Sequence, residues 1–63
     1  MKIGLDVLGG DYAPNSTISG AIAAQKVLKD GQRLVLIGDQ QDTIERLKSA
    51  GADPHNFDFV HAP

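Results

Sequence analysis

Lys2-Ile3-Gly4-Leu5-Asp6-Val7-Leu8-Gly9-Gly10-Asp11-Tyr12-Ala13-Pro14 is the stretch that decides the fold. Ile3, Leu5 and Val7 alternate with Gly4 and Asp6, which predicts a buried strand over 2–8. Two glycines follow at its end. Proline then stands where a helix's first turn tolerates a missing N–H. The run therefore predicts a strand–turn–helix junction. In α/β folds, such junctions are where small anionic ligands bind.

The pattern continues outward from this junction. Residues 15–29 predict the first helix, with Ile18, Ala21, Ile22 and Leu28 on one stripe and Gly31 as its stop. Gly20 is out of place inside that helix. Either the helix approaches a strand closely there, or the glycine lies on the surface. Leu34-Val35-Leu36-Ile37 is a continuous apolar run, as expected of a parallel strand covered on both faces. Asp39 predicts a cap for a second helix, with Asp42 in its first turn, Ile44 and Leu47 on its apolar stripe, and Gly51 at its end. Pro54 interrupts a connector, and residues 57–60 predict a third strand leading to His61.

The order is β-α-β-α-β, which predicts an α/β fold with parallel strands, right-handed crossovers and a doubly wound arrangement. Two helices cannot cover both faces of three strands. Residues 1–63 are therefore expected to be the N-terminal part of a single larger α/β domain, with no internal boundary. Bulk properties agree. The chain has 63 residues, 41% hydrophobic but only 5% aromatic, with no cysteine to staple a small core. A net charge of −2 and the lack of a basic cluster argue against a nucleic-acid partner. No apolar stretch reaches the roughly 20 residues that a membrane-spanning helix needs.

The candidate site lies at the strand ends. Gly9 and Gly10 carry no Cβ, so their backbone N–H groups can approach an anion. Asp11 puts a negative charge in the same turn. It either caps the turn N–H groups or faces a ligand whose charge something else must screen. Asp6 lies within the first strand, where hydrogen bonding to a neighbouring loop is the plainer role. Tyr12 sits on the loop. His61 ends the third strand, on the carboxyl side where open α/β sheets bind ligands. Asp39 after Gly38 mimics the ribose-binding acid of a dinucleotide fold, but Gly-x-Gly-x-x-Gly is missing and a helix cap explains Asp39 completely. No catalytic residue can be named. No metal site or cofactor is expected.

The run from Leu5 to Pro14 resembles the N-terminal signature of the PlsX-type phosphate acyltransferases, usually Asp-Ala-Met-Gly-Gly-Asp-His-Ala-Pro. Leu36-Ile37-Gly38-Asp39 and Val60-His61-Ala62 resemble that family's second strand and turn and the segment after its third strand. The similarity spans the whole chain, and full members are several times longer. The resemblance implies a Rossmann-like α/β/α sandwich. It implies an enzyme moving a fatty acyl group from acyl carrier protein to inorganic phosphate, giving an acyl phosphate for phospholipid synthesis. It also implies a cytoplasmic homodimer, peripheral to the inner face of the cell membrane. Tyr12 replaces the usual histidine, so no imidazole role carries over to that position. Substrate-binding roles carry over to Gly9, Gly10, Asp11 and His61. Two other classes stay open on the residues themselves: a non-enzymatic anion-binding α/β module and a dinucleotide-dependent oxidoreductase fragment.

Overall fold

Three parallel strands form one sheet in the order β1-β2-β3, with β1 at Lys2–Asp6, β2 at Arg33–Gly38 and β3 at Asp58–His61. The computed structural model describes residues 1–7 and 14–62. Helix α1 spans Pro14–Lys26 and connects β1 to β2; helix α2 spans Gln40–Ser49 and connects β2 to β3. A short 3-10 turn at Pro54–Asn56 precedes β3. This is the expected β-α-β-α-β opening of a Rossmann-like α/β fold.

Register explains the core. Leu5, Leu36 and Phe59 are aligned across the sheet, and Ile3 pairs with Leu34. Aligned residues of parallel strands point to the same face, and alternate residues to opposite faces. That face meets both helices. Val7, Leu34, Leu36 and Phe57 are buried in one cluster with Ile18 and Ala21 of α1 and Leu47 of α2. Both helices pack on β2 and against each other. Two helices on one face of three sequential parallel strands are what one βαβαβ half of a doubly wound sheet presents. Two crossovers of one hand, stepping in one direction across a sheet, place their helices on the same side. The opposite face carries Val35 and Ile37, half-buried, and Val60, exposed.

An ionic clasp spans that second face at the amino end of the strands. Lys2 Nζ lies 3.2 Å from Asp58 Oδ2, and Arg33 Nε donates to Asp58 Oδ1 at 3.0 Å. Arg33 Nη2 also donates to the His55 carbonyl at 2.8 Å, tying the 3-10 turn to β2. Hydrogen bonding from Lys2, with Arg33 adding to it, lowers the Asp58 pKa from the ordinary 3.8. The clasp joins one side chain from each strand.

Several element ends differ from the expectations. β1 stops at Asp6, although Val7 N–H still reaches the Ile37 carbonyl at 2.9 Å; Leu8 lies outside the described residues. α1 stops at Lys26, short of 29, because its last turn tightens: Val27 and Leu28 donate to the Ala24 and Gln25 carbonyls. Gly31 does not end the helix. It takes φ +82° in the reversal that brings the chain to β2. β3 begins at Asp58, and Phe57 closes the 3-10 turn with its side chain buried. Gly20 proves a surface glycine, since a Cβ there would meet nothing within 4 Å.

α2 behaves as its caps predict. Asp39 Oδ1 accepts from Asp42 N–H at 2.9 Å. At the other end Gly51 has φ +80°, Gly51 N–H donates to the Lys48 carbonyl and Ala52 N–H to the Leu47 carbonyl, the Schellman pattern. Its buried residues are Thr43 and Leu47, whereas Ile44 is only half-buried.

Candidate functional site at the carboxyl edge of the sheet

Parallel strands bring all their carboxyl ends to one edge, where Asp6 ends β1 and where β2, α2 and β3 meet. His61 pairs with Gly38, and Ala62 N–H donates to the Gly38 carbonyl at 2.8 Å. Asp39 and α2 follow Gly38 directly. The end of β3 is thereby held against the N-terminus of α2.

His61 takes part in that contact. Its Nδ1 accepts from the Gln40 N–H at 3.2 Å, so the neutral ring carries its proton on Nε2. The first N–H groups of a helix have no partner within the helix. Here His61 satisfies one, the Asp39 carboxylate a second, and the Asp39 carbonyl accepts from both Thr43 N–H at 2.9 Å and Thr43 Oγ1 at 2.7 Å. The imidazole is exposed, yet its Nδ1 lone pair is committed to the backbone. It positions the edge of the site and is not poised as a base at that nitrogen.

The other expected site residues divide. Gly9, Gly10 and Asp11 lie outside the described residues, as does Tyr12. Asp6 ends β1 in register with Ile37, on the face away from the helices, and is exposed. Asp39 is a helix cap, with its carboxylate on the Asp42 N–H. That removes the support for reading it as a ribose acid.

Two residues at this edge carry no signal of their own in the sequence. Gln40 contributes through its backbone. Thr43 is a buried hydroxyl whose only clue is its spacing of four from Asp39, which suits back-bonding to a helix-start carbonyl. A hollow of about 430 Å³ adjoins His61, lined by Gln40, Gln41, Ile44, Glu45 and Lys48. Of the residues lining it, Lys48 carries the positive charge. Lys2 and Arg33 are engaged with Asp58 at the amino end, and Arg46 pairs with Asp42 at 2.8 Å. Among the described residues no three His, Asp or Glu side chains converge to hold a metal, and no helix is long and apolar enough to cross a membrane.

At this edge the helix-start N–H groups of Gln40, Asp42 and Thr43 are already taken by His61 and Asp39. Comparison with known proteins narrows the chemistry. The chain is 42% identical over 65 residues to a phosphate acyltransferase of Herpetosiphon aurantiacus, covering all of this chain and 17% of that protein. It is 39% identical over 66 residues to the phosphate acyltransferase of Aquifex aeolicus and 40% over 63 to that of Thermus thermophilus, in each case covering all of this chain and 18% of the relative. It therefore spans under a fifth of the length of these curated relatives. No solved structure matches the chain. Residues 1–63 match the family described as Fatty acid synthesis protein. With every residue inside that match, the chain belongs to the fatty acid synthesis protein family.

Proposed function

We propose that this chain is the opening β-α-β-α-β unit of a longer phosphate acyltransferase, which transfers a fatty acyl group from acyl carrier protein to inorganic phosphate. The observation that carries the reading is similarity over the whole chain to proteins named phosphate acyltransferase. In this reaction a phosphate oxygen attacks the thioester carbonyl carbon, a carbon–oxygen bond forms, and the carbon–sulfur bond breaks as the thiolate leaves and takes up a proton. Phosphate is already nucleophilic at neutral pH, so the protein contributes positioning and donors for the developing oxyanion.

On this reading Gly9, Gly10 and Asp11 bind phosphate, and His61 holds the carboxyl edge of the sheet by its bond to Gln40. Lys2, Arg33 and Arg46 are paired with carboxylates, and of the cations only Lys48 lines the described hollow beside His61, which supports a division of labour in which most of the cations that screen phosphate belong to the rest of the longer enzyme. That enzyme works as a homodimer in the cytoplasm, at the inner face of the membrane where its acyl phosphate is consumed.

The test measures acyl phosphate formation from acyl carrier protein thioester and phosphate by the 63-residue chain and by the protein at its relatives' length. The longer protein should turn over and the short chain should not. Turnover by the short chain refutes the division of labour. No acyl phosphate from the longer protein refutes the enzyme reading.

A further inference from the structure

We propose that a trough between α2 and β3 receives the alkyl chain of the fatty acyl substrate, with the head group toward His61. The proposal rests on the acyltransferase reading and adds to it a place for the substrate's tail. Its starting observation is that the hollow beside His61 does not end there. A second hollow, of about 530 Å³, is lined by Ile44, Lys48, Pro54, Phe57 and Phe59, with Asp53 and His55 at its margin. Ile44 and Lys48 line both hollows. The two are thus consecutive sections of one trough that leaves the carboxyl edge and follows α2. From Gln40 to Lys48 the helix rises ~12 Å.

The chemistry changes along its length. The section at the carboxyl edge offers Gln40, Gln41, Glu45 and His61. The farther section offers two aromatic rings, a proline and an isoleucine. A polar end running into an apolar trough matches one kind of molecule, a single alkyl chain with a polar or anionic head.

Lys48 adds charge complementarity. Its ammonium forms no ion pair among the described residues. Its long stem can wall the apolar section while the charge reaches an anionic head such as an acyl phosphate. Glu45 opposes that charge from the same helix, one turn earlier. At the margin of the apolar section Asp53 Oδ1 accepts from His55 N–H at 2.9 Å and lies 3.0 Å from His55 Nδ1.

The test titrates the isotopically labelled chain with dodecyl phosphate below its micelle concentration, with inorganic phosphate and dodecanol as separate arms. Dodecyl phosphate should move the amide signals of Ile44, Lys48, Phe57, Phe59 and His61 together, while inorganic phosphate leaves Phe57 and Phe59 in place. Lys48→Met should weaken dodecyl phosphate about tenfold, Lys48→Arg should restore it, and Glu45→Gln should tighten it. Shifts confined to Val35, Ile37 and Val60, or an unchanged affinity in Lys48→Met, overturn the proposal. A second measurement uses the protein at its relatives' length. There Ile44→Trp, which fills the trough, should raise the ratio of short-chain to long-chain kcat/KM. Acyl phosphate formation with an unaltered chain-length preference sinks the trough and leaves the enzyme reading standing. Binding of dodecyl phosphate without any turnover by the longer protein does the reverse.

Discussion

Leu47 fastens α2, and with it the Gln40–His61 contact, to the sheet; its removal should cost most of the chain's stability. Its side chain is 0% exposed, in the cluster with Leu36 and Phe57. Leu47→Ala removes three carbons, worth about 2.4 kcal/mol at about 0.8 kcal/mol for each buried carbon. The cavity left behind brings the expected loss to about 2–5 kcal/mol. A chain of 63 residues has a total stability of roughly 3–9 kcal/mol at ordinary values per residue. The variant should therefore unfold at a much lower urea midpoint by far-UV circular dichroism, with the slope m unchanged. Val27→Ala is the matched control. Val27 is 79% exposed, just past α1, and its truncation should change stability by no more than about 0.5 kcal/mol. If Leu47→Ala proves no more costly than Val27→Ala at equal m, the reasoning from burial is refuted.

Two glycines should respond in opposite directions. Gly20→Ala should stabilise by up to about 1 kcal/mol, since the helix interior favours alanine and nothing stands within 4 Å of the new Cβ. Gly51→Ala should destabilise by about 1 kcal/mol, since φ there is +80°. Thermal melts that show the same sign for both would contradict the assignment of Gly51 to the helix stop. The clasp at the amino end predicts a pH effect. Asp58 titrates below its ordinary 3.8 in the folded chain, so its contribution is complete above that value and is lost as pH falls through the lowered pKa. The gap in urea midpoint between the native chain and Asp58→Asn should be constant above about pH 5 and close below about pH 4; a gap that widens on acidification would reverse the sign.

Much of the fold was legible from short-range pattern. The alternation of Ile3, Leu5 and Val7, the apolar run from Leu34 to Ile37, and the Asp39 cap with Gly51 at the far end each depend on residues within one strand or one helical turn. Such signals survive without knowledge of the rest of the chain. They located β2 at Arg33–Gly38 and bounded α2 closely. Ends set by competition were less legible. α1 stops at Lys26 because the chain must turn toward Arg33, where Gln32 accepts from the Lys29 N–H and Met1 from across the turn donates to the Gly31 carbonyl.

Local order of strands and helices, the turn residues and the apolar stripes followed from the amino acids read in sequence, because each is settled by backbone sterics and periodicity over a few neighbours. Which face of the sheet both helices share, that Lys2, Arg33 and Asp58 meet, and that His61 ends on the Gln40 N–H were settled only when distant segments packed. Those outcomes depend on strand order and register, which the crossovers impose on residues as far apart in the chain as Lys2 and Asp58. No local spacing encodes them.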